Sequence, residues 1–331
     1  MDFFNVKYYN TSNLTKVLVE GMLILKPSKF SMGYLFIAIS SGFFGLAGIF
    51  VENLSHHGIP TPIMGFYRPF IAFITFLFLL LPRHKAYLKV DFNTLKYIAL
   101  LGFISQTLFN QFYYGTIQRT TISTAVVLLY TSPIFVMVIA RFLYREMLTP
   151  SKIAALILSI LGCFLTITGG SVEVLKLNGT GILLGLASGL AISFLPLISK
   201  NLVHRTHPLT IACYTMGFGA LFSLLFFNPQ KLLPMNYDIK VWGNLIALGV
   251  LSNALAYLFY TKGMSMDIQS SKASIVNTVE VPVAVLTSYL FFGEQIWGLK
   301  LFGILLVLLS VVIIEYGIGF EASLKKNRAG L

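Results

Sequence analysis

Of the 331 residues, 56% are hydrophobic and only 11% charged, and the mean hydropathy is +0.80. A soluble domain averages about 25% charged residues, so this chain cannot clothe itself in a water-facing surface and must live in lipid. That excludes the two soluble domains its length would allow, and it assigns the net charge of +12 to loops beside a membrane rather than to nucleic-acid binding.

Residues 1–30 come first and read as a cytoplasmic N-terminal tail. Their apolar stretch, 17–25, is short and interrupted by Glu20 and Gly21, too broken for a signal peptide. An interfacial helix, or a misassigned start upstream of Met22, explains it equally well. Crossing the hydrocarbon core takes about 20 apolar residues. The chain predicts ten such spans, near 32–52, 62–81, 95–115, 121–142 and 150–169, then 180–200, 209–228, 241–261, 271–292 and 298–318. Short connections carry Pro, Asn and charge, most clearly at Pro82-Arg83-His84-Lys85 and Asn228-Pro229-Gln230-Lys231. The chain closes on a basic cytoplasmic tail, 320–331. Cys163 and Cys213 fall inside apolar runs, as packing residues rather than a disulfide or metal site.

Shifted by 148 positions, the second half overlies the first without a gap. Gly33 falls on Gly181, Ser40 on Ser188, His56 on His204, Phe70 on Phe218, Gly115 on Gly263, Ser123 on Ser271 and Glu146 on Glu294. The chain is therefore two units of five spans, 31–170 and 171–319. Because five is odd, the second unit runs through the membrane upside down relative to the first. Secondary transporters use that arrangement to expose one site to each side in turn. Lys and Arg set the orientation: with the N-terminus in the cytoplasm, 18 fall on the inner side, five on the outer, and Arg68 lies within a span. The asymmetry predicts both termini in the cytoplasm, with Trp242 and Trp297 at the outer interface.

Matching places in the two units carry a family likeness. The first has Tyr113-Tyr114-Gly115, then Ser132-Pro133, closing on Tyr144-Arg145-Glu146. The second has Tyr260-Thr261-Lys262-Gly263, Ser271-Lys272-Ala273-Ser274 and Glu280-Val281-Pro282, closing on Phe292-Gly293-Glu294. With Arg68 in the second span, the chain resembles the EamA-type branch of the drug/metabolite transporter superfamily from 33 to 319. It departs from the family pattern where Val281 separates Glu280 from Pro282. The resemblance implies an all-α integral membrane protein, ten transmembrane helices forming two inverted five-helix repeats around a central cavity. It implies alternating-access transport of small metabolites across the cytoplasmic (inner) membrane of a prokaryote, commonly export of amino acids or related compounds. Proton-coupled or facilitative import of another metabolite class is the alternative, and monomer and homodimer are both open.

Glu280 is the sharpest site candidate, because a carboxylate inside an apolar span is costly and by default functional. It could carry a proton, bind an amine, or hold backbone freed near Pro282. Lys272, eight residues or about two turns earlier, could bind a carboxylate or pair with Glu280; otherwise it snorkels to the interface. Arg68 could attract an anionic group, or reach headgroups or a structural partner. Gln106, Asn110 and Tyr114 form one helical stripe, and Asn253, Tyr257 and Tyr260 a similar one in the second unit. Facing a cavity, such stripes offer donors, acceptors and ring faces; facing other helices, they are hydrogen-bond glue. Thr131, Ser132 and Asn277 extend the set. Pro133, Pro196 and Pro282 could be hinges. Glu146 and Glu294 read as structural residues at span ends. Gly42, Gly45 and Gly48, with Gly185 and Gly189, suit close helix contacts.

A membrane-embedded enzyme is the distant alternative. It would need a nucleophile–base set or metal ligands in the bilayer, and the spans hold no His and no Asp. The five histidines sit in loops or at span ends without a Cys or carboxylate cluster, so no metal is expected. No cofactor is expected either, and no Gly-x-x-x-x-Gly-Lys-Ser/Thr motif supports ATP drive. The expected partners are a small-molecule substrate, the lipid bilayer and, through Glu280, a coupled proton.

Overall fold

In lipid the backbone must satisfy its own polar groups, and a chain with apolar runs of this length does so by coiling into helices. The structure, a computed structural model, describes residues 29–83, 85–226 and 237–329, with side chains for 32–82, 85–226 and 237–315. His84, the break at Asn228-Pro229-Gln230-Lys231, and the tail before residue 29 lie outside the described residues. Among those described there is helix and no strand.

The first repeat holds α1 (Lys29–Gly45), α2 (Ala47–His56), α3 (Thr61–Arg83), α4 (Phe92–Gly102), α5 (Phe109–Arg119), α6 (Ile122–Leu129), α7 (Ser132–Tyr144) and α8 (Pro150–Thr168). The second holds α9 (Gly179–Leu202), α10 (Pro208–Ser223), α11 (Ile239–Gly249), α12 (Ala256–Met264), α13 (Ser270–Asn277), α14 (Glu280–Phe292) and α15 (Leu299–Ala329). Joined end to end they make ten crossings. Eight are long and apolar enough to span by composition; the others are the α4–α5 rod and α15, which runs past the expected end at 318. The repeat holds in the elements themselves. Adding 148 turns Ile122–Leu129 into Ser270–Asn277 and Ser132–Tyr144 into Glu280–Phe292.

Several expected spans are not single straight helices. The first bends at Leu46. The fourth and ninth are interrupted at Tyr130–Thr131 and Thr278–Val279, each just before a proline that removes a backbone donor and crowds the preceding turn. The ninth breaks at the matching position although its proline sits one residue later. The third and eighth crossings each contain one π-helical turn, Phe103–Leu108 and Val250–Leu255. Pro196, by contrast, lies inside the unbroken α9.

The repeats interlock. α1 packs on α12, α13 and α14 of the other repeat, while α9 packs on α5, α6 and α7. One buried core runs through both and includes Ile37, Phe76, Met216, Tyr257 and Tyr260. Both cysteines are free and buried. We call the end of the bundle with the α7–α8 and α12–α13 turns the lower end, and the other the upper end.

Close approach explains some of the glycines. A methyl on Gly303 would lie 2.5 Å from the Thr166 nitrogen and one on Gly162 2.8 Å from the Gly303 carbonyl, so α8 and α15 meet backbone to backbone. Gly45 similarly admits the Glu280 carbonyl, and Gly185 and Gly189 lie against the end of α6. Gly42 and Gly48 face open space, contrary to expectation. Gly303→Val should therefore cost about 1–3 kcal/mol by overpacking and lower the thermal midpoint of the detergent-purified protein by several degrees. Gly42→Ala should be neutral or slightly stabilising, since a mid-helix glycine loses roughly 0.5–1 kcal/mol to alanine. Equal effects from the two would contradict this packing.

Candidate functional site

The first π turn and the breaks in the fourth and ninth crossings border one cavity of about 600 Å³, counting the space at its open mouth. Its walls come from both repeats: Arg68 of α3, Ser105 and Gln106 of the first π turn, Asn110 of α5, Tyr130 and Ser132 at one break, Tyr257 of α12, and Asn277 and Glu280 at the other. Phe44, Phe109, Leu129, Ile192 and Leu195 complete an apolar and aromatic lining. A narrow cleft shares Gln106 and Asn110 and continues along Pro62, Gly65, Gln111 and Tyr114 toward the upper end.

A π turn inserts an extra residue into the helix and so re-aims neighbouring side chains, which is why such turns recur at functional sites. Here Gln106 Nε2 donates to the Tyr257 hydroxyl across the repeats. On the opposite π turn, Arg68 Nη2 donates to the Ser252 carbonyl at 3.3 Å, while Arg68 Nε has no hydrogen-bond partner among the described residues. Phe44 meets Tyr257 edge to face at 5.7 Å. Ser41, on α1, donates to Asn277 Oδ1 at 3.2 Å and so ties the first span to the ninth at its break. Arg68 and Glu280 share the cavity, and no ion pair joins them directly.

Seven of the ten residues expected on a substrate pathway line this cavity: Arg68, Gln106, Asn110, Ser132, Tyr257, Asn277 and Glu280. Tyr114 lines the narrow cleft. Thr131 instead donates back to the Leu128 carbonyl at 2.6 Å. Asn253 is fully buried, its amide nitrogen 3.1 Å from the Met216 sulfur and its oxygen without a hydrogen-bond partner among the described residues. Lys272 is buried on α13, and the break between α13 and α14 undoes the continuous two-turn spacing that would set it beneath Glu280. Pro133 and Pro282 flank the breaks. Sequence reading missed Ser105 and Tyr130; straight α-helical spacing puts Ser105 off the Gln106 stripe, and only its place before Thr131-Ser132-Pro133 singles out Tyr130.

At the lower end Glu146 ties the two repeats together. Arg145, the residue before it, adopts a left-handed conformation (φ 53°), the position its counterpart fills with glycine (Gly293, φ 70°). This turn swings Glu146 beneath the other repeat, and its backbone N–H closes on the Ala140 carbonyl at 3.3 Å. The carboxylate accepts the Ser270 N–H at 2.9 Å, the Ser271 N–H at 3.3 Å and the Ser271 hydroxyl. Lys200 lies 2.9 Å and Lys152 3.6 Å away. Burial pushes this carboxyl's pKa up, but the bonds from Ser271 and Lys200 and the charges of both lysines outweigh it and hold it below the ordinary value of 4.5. A depressed carboxylate contributes its stabilisation above the ordinary pKa and loses it as pH falls through the lowered one, so Glu146 is ionised at neutral pH. Tyr144 adds a bond to the Leu197 carbonyl at 2.6 Å. Glu294, the matching residue, is exposed at the upper end.

The model of the EamA-like transporter family matches residues 31–168 and again 179–316. The chain belongs to the EamA-like transporter family. It is 25% identical to an uncharacterised transporter of Archaeoglobus fulgidus over 84% of this chain and 94% of that one. It is 29% identical to the uncharacterised inner membrane transporter YicL of Salmonella typhimurium over 60% of this chain and 66% of that one. A solved crystal structure covers 86% of this chain and 96% of its own with a TM-score of 0.72 at 14% identity, a likeness of fold. The two matched stretches are the two inverted repeats, and the cavity lies between them.

Because Asn253 is packed away from the cavity, its oxygen without a hydrogen-bond partner among the described residues, Asn253→Ala should change stability by only about 1 kcal/mol and leave transport intact. A folded variant that no longer transports would put Asn253 back on the pathway.

Proposed function

We propose that this EamA-like transporter exports amino acids or closely related zwitterions by alternating access. It lies in the cytoplasmic membrane of a prokaryote, with both termini and the lower end in the cytoplasm. The observation that carries the reading is that the Arg68 guanidinium and the Glu280 carboxyl group line one aromatic-walled cavity without an ion pair between them. Arg68 keeps donor capacity for a carboxylate, which a planar guanidinium grips in two places. Glu280 makes no hydrogen bond or ion pair with a described residue, so its carboxylate is available to a substrate ammonium or a coupled proton. Gln106, Asn110 and Asn277 supply neutral polar contacts, and the rings take an apolar side chain. The imbalance of 18 basic residues against five supports the orientation, and the relatives from bacteria and archaea support a prokaryotic membrane.

The test is efflux from cells loaded with a labelled amino-acid panel. One class should leave faster with the intact protein than with the empty vector. Glu280→Gln and Arg68→Gln should each slow that efflux at least about tenfold, the loss expected for one charge-assisted contact. A correctly inserted protein that raises the efflux of no amino acid contradicts the substrate class. Unchanged efflux by both variants contradicts the site.

A further inference from the structure

We infer that Glu146 and Glu294 are alternating latches: Glu146 holds the lower end shut by capping α13, and in the opposite state Glu294 shuts the upper end by capping α6. The assignment rests on the transport reading and deepens it. α13 has no cap of its own, since Gln269 makes no side-chain bond to its first turn. Its two leading N–H groups go instead to Glu146 of the other repeat, 124 and 125 residues away. A carboxylate at a helix N-terminus is favoured by orphan donors and by the helix dipole together. This cap is therefore a reversible joint between repeats, and the capped helix ends at the break bearing Asn277 and Glu280. Glu146 is thus a positioning residue for the cavity as well as a seal.

Inversion supplies the second latch. Adding 148 carries Glu146 to Glu294 and Lys152 to Lys300, and subtracting it carries Ser271 to Ser123 and the start of α13 to the start of α6. The parts of one joint thus recur at the other end. There, in this structure, Glu294 is exposed and α6 is capped locally by Thr121, which accepts the Thr124 N–H at 3.1 Å. One member differs. Lys200 corresponds to Glu52, which pairs with His56 at 3.2 Å. The upper joint therefore lacks one cation and gains a like charge, so it is the weaker of the two. This accounts for a structure latched below while the narrow cleft leads toward the upper end.

Thiol labelling tests this without any substrate, so an error about amino acids leaves the test standing. In the full chain with Cys163 and Cys213 replaced by alanine, Ser274→Cys reports the lower end, one turn along α13 from Ser270. Gln111→Cys reports the upper cleft. With a water-soluble maleimide on purified protein, Glu146→Gln should speed labelling at 274 and slow it at 111, each about tenfold, a population shift of the size one lost charged contact gives. Glu294→Gln should move both rates the other way. Glu294 is exposed, so that variant folds even if Glu146→Gln does not. Lys200→Gln, which leaves the helix-cap bonds in place, should give the Glu146→Gln pattern in weaker form. The proposal is overturned if Glu294→Gln opens the lower end or leaves both rates unchanged, or if folded Glu146→Gln keeps 274 protected.

Discussion

A unit of five crossings cannot be copied along a chain without being turned over, and most of what distinguishes this molecule follows from that constraint. Equivalent residues land at opposite ends of the bundle, so identical sequence meets different surroundings. Glu146 is buried among two lysines and a helix start, while Glu294 stands in the open. The first helix of each repeat can then pack on the third and fourth crossings of the other, and the interlocked halves share one core. A tandem copy of an even-numbered unit would place both carboxylates at one end and leave no second end to gate.

Lipid adds the next constraint. An unpaired backbone group costs several kcal/mol in hydrocarbon, so interrupted helices are tolerated only where protein or a cavity meets the freed groups. Each interruption here meets that demand. Thr131 donates to the Leu128 carbonyl, Thr278 to the Ile275 carbonyl, and Arg68 to the Ser252 carbonyl within the second π turn. Gly45 lets the bend in the first crossing press against the Glu280 carbonyl. Both helix breaks and the first π turn thus border the cavity. The charges at the lower end obey the same logic, since removing one member of a buried ionic set costs roughly 3–5 kcal/mol by stranding the others.

Spans were legible because hydrophobic runs and terminal signals agree. The fifth, expected at 150–169, is Pro150–Thr168, opened by the Thr149 cap and the Pro150 start and closed by left-handed Gly169. The Gln106, Asn110 and Tyr114 stripe was legible because four-residue spacing survives the π turn that begins before it. The matching stripe was less so: Tyr257 reaches the cavity, Tyr260 is buried in the core, and Asn253 faces Met216. No residue signature announces a π turn, and Ser105 went unnoticed with it. The partnership of Glu146 with Ser270 and Ser271 was hidden for another reason. The residues are far apart in sequence, and the match of Glu146 to Glu294 suggested equivalence where inversion imposes different environments.

Transport of a zwitterion through this cavity requires one substrate to engage both Arg68 and Glu280. Equilibrium binding to the purified protein, compared for the best-exported amino acid, its methyl ester and its deaminated acid, addresses that directly. Neutralising the carboxylate should remove the Arg68 contact and deleting the amine the Glu280 contact, so each analogue should bind at least about tenfold more weakly than the parent. Binding of either analogue as tight as the parent would contradict a zwitterion held between Arg68 and Glu280.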